Sequence, residues 1–189
     1  MGLVPVVDLG GDPHEVARSI GEACREVGFF QIVGHCLDGR VEAAVWDAAR
    51  RFFDLPLGDK LAVTIPHGEA YGYGPFQVER LAASLGEQTP PDLKETFSVG
   101  PFGDAPTGAT DPAAAFVYSP NRWPAALPTM ERAFREYYDA MASLVARVMS
   151  SMAVGLGLPD DHFEPFIDRH TSAVRALHYP DVRGHGVEP

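Results

Sequence analysis

Residues 28–35 read Gly-Phe-Phe-Gln-Ile-Val-Gly-His, and this stretch decides how the first part of the chain is expected to fold. The aromatic and β-branched run between the two glycines is too short for a helix, so it predicts a strand. Upstream, Asp12 is placed as an N-cap with Pro13 at the first helical position, which predicts a helix that Gly28 ends. Residues 4–9 form a short apolar and β-branched run before that helix and predict a further strand.

Helical signals continue downstream. Asp38 is placed to cap a second helix whose apolar face runs to Phe52, and residues 57–61 predict a further helical turn. From about residue 129 to about residue 156, apolar residues that include Phe134, Leu144 and Val145 recur at steps of three and four, which predicts the longest helix of the chain with a broad apolar face. Pro159 then predicts the start of a short helix.

Other segments read as loops or strands. Residues 68–76 alternate glycines and a proline with aromatic side chains, which predicts an irregular loop with its aromatics near the surface. Residues 100–113 lack periodicity and predict an exposed excursion rather than a domain linker. Residues 172–179 alternate in part and predict a strand.

Short motifs follow one another along the chain in one order. They are Pro5-Val6-Val7-Asp8-Leu9, Gly28 to His35, Phe52-Phe53-Asp54-Leu55-Pro56, Gly72-Tyr73, Lys94-Glu95-Thr96-Phe97, Asn121-Arg122-Trp123-Pro124 and Leu177-His178-Tyr179-Pro180. In this order and spacing they resemble the isopenicillin N synthase-like family of non-haem iron, 2-oxoglutarate-type oxygenases. The resemblance covers nearly the whole chain.

The resemblance implies an α+β fold, in which a helical N-terminal region packs against a double-stranded β-helix, or jelly roll. Residues 1–170 would form the N-terminal region of a non-haem dioxygenase, and residues 171–189 the first strand and loop of an incomplete jelly-roll domain. A jelly roll needs about eight strands to close, so most of it is expected to be absent from this chain.

The family holds iron with two histidines and one carboxylate, leaving positions open for 2-oxoglutarate or substrate and for oxygen. The resemblance therefore implies Fe(II) and 2-oxoglutarate as cofactors of a complete family member. His162-Phe163-Glu164 is the nearest local match, but it falls in the short helix expected after Pro159 and is not expected to bind metal. His185-Gly186-Val187 also fails, because valine cannot ligate iron. We expect this chain alone to bind neither cofactor and to be inactive, since the metal triad is missing.

Tyr179 is the main candidate for binding a carboxylate. Related sequences often read Asn-x-Tyr-Pro, in which the Asn and Tyr help to bind a carboxylate of cosubstrate or substrate, and Leu177 replaces that Asn here. Tyr179 keeps a hydroxyl donor, with packing at a strand end as the alternative. Arg175 shares a face with Tyr179 by the two-residue period of a strand and is expected to pair with a carboxylate.

Tyr73 is the second candidate, because family members reach substrate with a loop from this region. Tyr71, Phe76 and Glu79 lie in the same region. For each of these residues, packing of an irregular loop is the alternative to binding substrate.

Several other residues are expected to be structural. Asn121 is expected to satisfy loop backbone groups and Trp123 to supply buried area. Lys94 and Glu95 are expected to form an exposed pair that adds little stability. Cys24 and Cys36 are too few for a disulfide framework and are expected to be buried free thiols.

Composition limits the class of protein. The 189 residues suffice for one globular unit with its own core. A formal net charge of −11 would repel nucleic acid and anionic lipid. No apolar run approaches the length of a membrane span, and no signal peptide is apparent, so a cytoplasmic protein is expected.

The sequence is compatible with two functions. The first is an Fe(II)-dependent, 2-oxoglutarate-type oxidoreductase that hydroxylates, desaturates or cyclises a small molecule, represented here by its N-terminal portion. The alternative is a non-catalytic binding or assembly module that lacks a metal site. An incomplete sheet would expose an edge and an apolar face, which favours association with a partner.

Overall fold

The structure is a computed structural model that describes residues 4–78, 92–103 and 111–181. The chain divides into two compact units, residues 1–42 with 136–170 and residues 43–135 with 171–189. The expectation of one globular unit was therefore wrong. Chain length limits how much core a protein can bury, but it does not determine how that core is distributed.

The first unit begins with a strand, helix and strand. These are β1 (Val6–Asp8), α1 (Pro13–Glu26) and β2 (Gln31–Val33). The two strands pair in parallel, with Val7 opposite Ile32, and α1 makes the crossover that parallel strands require. The side chain of Asp12 accepts hydrogen bonds from the backbone N–H groups of His14 and Glu15, which confirms the predicted N-cap.

Gly34 lies where β2 ends and approaches β1 closely. Its φ is +63°, in the left-handed region that a side chain disfavours. A Cβ added to Gly34 would lie 2.0 Å from Asp8 Oδ1, and that oxygen accepts a hydrogen bond from the N–H of Gly10 at 2.9 Å. Gly34 therefore leaves room for the Asp8 side chain that holds the turn after β1.

Gly34→Ala should destabilise the protein by about 2–3 kcal/mol, because it adds the cost of a left-handed alanine to the displacement of Asp8. Gly28→Ala is the matched control, since Gly28 has φ +82° but nothing within 4 Å of an added Cβ. Denaturant melts of both variants would separate the two effects. Equal losses in both variants would show that the contact with Asp8 contributes nothing.

The second unit contains a three-stranded antiparallel sheet in the order β3 (Gly72–Gly74), β4 (Glu95–Val99) and β5 (Val174–His178). Tyr73 pairs with Phe97, and Phe97 pairs with Ala176. The rings of Phe52 and Phe97 lie 4.5 Å apart between centroids, and Phe97 also contacts Phe134 at 5.6 Å. Aromatic packing against one face of the sheet thus forms much of this core.

The helices have the following bounds. α2 is Gly39–Phe53, α3 is Leu57–Leu61, α4 is Pro112–Val117, α5 is Met130–Gly155 and α6 is Glu164–Ile167. α2, α3, α5 and the strand at β5 confirm their predictions to within a few residues. The boundary between the two units falls inside α2 and inside α5.

The prediction for residues 68–76 was wrong in part. They include β3, and Tyr71 and Tyr73 are buried rather than near the surface. The reason lies in the glycines, which permit close backbone approach as well as turns. A Cβ on Gly72 would lie 2.5 Å from the carbonyl oxygen of Val63, so glycine here lets β3 pack tightly against the segment after α3.

Two smaller expectations also need correction. Cys24 and Cys36 are free as expected but exposed rather than buried. Val145, expected on the apolar face of α5, is 49% exposed.

α4 begins at the end of the segment expected to be an exposed excursion, residues 100–113. Residues 104–110 of that segment lie outside the described residues, so the expectation stays a prediction. In the described part of the chain, no helix is long and apolar enough to cross a membrane.

Candidate functional site

A buried carboxylate lies at the end of the sheet in the second unit. Glu95 begins β4 and is only 4% exposed. The antiparallel register places it opposite His178, the last residue of β5. Cross-strand neighbours extend their side chains to the same face, so the two meet beside the aromatic core.

Glu95 is bound by side chains from three other elements. Its Oε2 accepts hydrogen bonds from Lys60 Nζ at 2.8 Å and from the Tyr73 hydroxyl at 2.5 Å. Its Oε1 lies 2.8 Å from His178 Nδ1. Lys60, from α3, also donates to the carbonyl oxygen of Phe53 at 3.0 Å. We call Lys60, Tyr73, Glu95 and His178 the Glu95 cluster.

Electrostatics keep this carboxyl ionised. Burial by itself raises the pKa of Glu95, but the hydrogen bonds from Lys60, Tyr73 and His178 outweigh burial, and the net effect is to lower its pKa. Burial and the neighbouring carboxylate raise the pKa of the Tyr73 phenol well above its usual range. Tyr73 therefore stays protonated and acts as a hydrogen-bond donor.

The expectation of an exposed Lys94–Glu95 pair was wrong. Lys94 Nζ instead lies 2.7 Å from Asp92 Oδ2, and Glu95 pairs with Lys60. Strand alternation contains the signal that was missed, because Glu95 shares its face with Phe97 and Val99, both of which are buried. The participation of Lys60 and His178 depends on long-range contacts that sequence spacing does not show.

The two predicted site residues lie on different parts of the sheet. Tyr73 is 1% exposed with its hydroxyl bound to Glu95, whereas Tyr179 follows β5 and is 67% exposed. By alternation, Tyr179 shares a face with Leu177 and Arg175, opposite to the face of His178. The structure therefore does not bring Tyr73 and Tyr179 together, and their roles in binding substrate or cosubstrate stay predictions.

The structure also describes two other residues singled out in the sequence, Asn121 and Arg175. Asn121 confirms its architectural role, since its Oδ1 accepts from the N–H of Gly100 at 2.8 Å and its Nδ2 donates to the carbonyl oxygen of Pro101 at 3.2 Å. Arg175 Nη2 donates to Thr96 Oγ1 at 3.3 Å. Glu79 and His185 lie outside the described residues.

A second feature of this unit is an open groove of about 380 Å³. The ring of Phe102, which lines it, stacks on Trp123 at 6.2 Å and has the Arg135 guanidinium 4.1 Å from its centroid. Both contacts join Phe102 to other residues of the same unit. None of the predicted site residues lines the groove.

Within residues 4–78, 92–103 and 111–181, no group of three or more His, Cys, Asp or Glu side chains is arranged to hold a metal ion. The donors in the described residues therefore do not fit an iron centre. The exposed His162 of the dismissed His-Phe-Glu match makes ring contacts with Phe163 and Phe166. That this chain alone binds no iron stays a prediction.

The chain matches one protein family and several known proteins. Residues 4–126 match the family described as non-haem dioxygenase in morphine synthesis, N-terminal. The chain is 32% identical to a 2-oxoglutarate-Fe(II) type oxidoreductase, hxnY, of Emericella nidulans, over 90% of this chain and 49% of the relative. It is 33% identical to the 2-oxoglutarate-dependent dioxygenase caaD of Aspergillus niger, over 94% of this chain and 56% of the relative.

A solved structure shares the fold. A full-length protein of Neurospora crassa, crystallised in complex with alpha-KG, superposes with a TM-score of 0.75 at 26% identity, over 94% of this chain and 54% of that protein. The chain thus spans about half the length of the relatives it matches.

Proposed function

Because the chain belongs to the family of non-haem dioxygenase N-terminal regions, we propose that it forms the N-terminal part of an Fe(II)- and 2-oxoglutarate-dependent oxidoreductase that acts on a small molecule. The observation that carries this proposal is the match, along nine-tenths or more of the chain, to two fungal proteins of that class. The reaction would be a hydroxylation, desaturation or oxidative cyclisation. No observation favours the non-catalytic module over it.

The proposal divides the work between this chain and further sequence. Residues 1–170 would form the N-terminal region, and β5, within residues 171–189, would be the first strand of a jelly roll. Iron ligands would lie on sequence beyond this chain, so this chain alone would be inactive. The open sheet would then associate with the rest of that jelly roll, in a cytoplasmic enzyme without nucleic-acid or membrane partners.

Transcript sequencing beyond the codon for Pro189 tests the class directly. We expect a downstream reading frame with His-x-Asp, a second His and an Arg-x-Ser. Its expressed product should consume 2-oxoglutarate when supplied with Fe(II). A transcript that ends at this codon, together with no separate gene product that restores activity, would contradict the proposal.

In the complete enzyme, with the downstream sequence restored, Tyr179→Phe should weaken binding of 2-oxoglutarate by about ten- to a hundredfold. A phenol that donates to a carboxylate makes a charge-assisted hydrogen bond, and its loss costs about 1.5–3 kcal/mol. The 67% exposure of Tyr179 leaves its hydroxyl accessible to such a ligand. The measurement is calorimetric titration of 2-oxoglutarate alongside a thermal melt. Tyr137→Phe, at a half-buried position of α5, is the control for a general loss of a tyrosine hydroxyl. Unchanged affinity with a lowered melting temperature would show that Tyr179 is architectural.

A further inference from the structure

We propose that His178 is a positioning residue that orients Tyr179 for carboxylate binding, through the contact of its ring with Glu95. The inference rests on the proposed function, because it assumes that the Tyr179 hydroxyl binds a carboxylate. It concerns residues of the second unit only.

Backbone pairing between β4 and β5 does not extend to Tyr179. The register with β4 ends at the pair Glu95 and His178, so Tyr179 lies one residue past the last pair. Pro180 follows and has no N–H to extend the ladder. The orientation of Tyr179 therefore depends strongly on how the preceding residue is held.

His178 is held on two sides. Its Nδ1 lies 2.8 Å from Glu95 Oε1, and its ring stacks on Phe53 with centroids 5.1 Å apart and planes 30° from parallel. An ionised Glu95 only accepts hydrogen bonds, so the proton must be on Nδ1. Because successive side chains point to opposite faces, fixing His178 on the inner face directs Tyr179 to the outer face.

Glu95 is itself held by two side chains outside β5. Lys60 and Tyr73 bind its other oxygen at 2.8 and 2.5 Å. Neither side chain is on β5, so these two contacts with the carboxylate do not involve that strand. The contact between His178 and Glu95 thus fixes the end of β5 against the buried Glu95 cluster.

Two substitutions of His178 separate positioning from simple packing. The amide nitrogen of asparagine reaches about the place of Nδ1, whereas that of glutamine reaches about the place of Nε2. His178→Asn should keep the donor to Glu95 and the affinity for 2-oxoglutarate. His178→Gln should weaken that affinity about tenfold or more, towards the value of Tyr179→Phe.

The experiment uses the complete protein, in which this chain is joined to its downstream sequence, with 2-oxoglutarate as the probe. Nuclear magnetic resonance would record the Tyr179 ring signals during titration, and their order parameters without ligand. Rescue by asparagine but not by glutamine supports the inference. Wild-type affinity in His178→Gln, or equal losses in both variants, overturns it.

Failure of the proposed function would look different. If the wild-type Tyr179 signals do not respond to 2-oxoglutarate, the carboxylate role of Tyr179 fails, and the ligand-free order parameters decide the positioning alone. Greater ring mobility in His178→Gln than in His178→Asn then supports a positioning contact. Equal mobility in the two variants overturns it.

Discussion

Glu95→Gln is expected to lower the free energy of unfolding by about 3–5 kcal/mol, because it leaves a buried ammonium group without its counter-charge. Lys60 is only 9% exposed, and its Nζ lies 2.8 Å from the carboxylate. The amide of glutamine preserves the shape of the side chain but carries no charge. Urea-induced unfolding followed by circular dichroism measures the change.

The double variant Lys60→Met with Glu95→Gln is the control for this prediction. It removes both charges, so it should recover much of the loss, as replacement of buried ion pairs often does. The wild-type contribution of Glu95 should be complete above its unfolded-state pKa, and it should disappear as the pH falls through its lower, folded-state pKa. A single variant as stable as the wild type would show that Lys60 finds water or another acceptor.

Phe134→Ala should cost about 3–5 kcal/mol, since it removes a buried aromatic ring and leaves a cavity. Phe134 lies on α5, is 1% exposed and contacts the rings of Phe97 and Trp123. Thermal and denaturant melts measure the loss.

Phe166→Ala is the matched control for Phe134→Ala, because the same side chain is removed from a site that is 75% exposed. It should change stability by less than about 0.5 kcal/mol. Similar effects of the two substitutions would mean that the buried face of α5 has been assigned wrongly.

Local signals in the sequence predicted α1, α2, α3 and α5 well, but not α4. The side chain of Asp12 and the ring of Pro13 act within one turn, so their pattern alone places the start of α1. The long apolar stripe likewise predicted α5, although not the exposure of Val145. The same local signals predicted the wrong role for Gly72. It allows close approach to the backbone of Val63 rather than making a turn.

The candidate site was less accessible to sequence reasoning. Tyr179 was identified through a motif, and its exposure follows from strand alternation. The sequence predicts an exposed pair for Glu95, because its nearest charge in the sequence is Lys94. Its actual partners are 35 and 83 residues away, at Lys60 and His178. Tertiary pairing over such separations leaves no periodic trace in the sequence.

The separation of Glu95 and His178 also bears on the order of events during folding. Lys60, Tyr73 and Glu95 belong to one continuous stretch that is synthesised before β5, whereas the contact with His178 closes a loop of 83 residues. Closing so large a loop costs entropy before any contact compensates for it, and pairings of this kind form slowly. β5 is therefore expected to dock late. Until it docks, the edge of β4 is unpaired and exposes backbone groups with which another chain can pair.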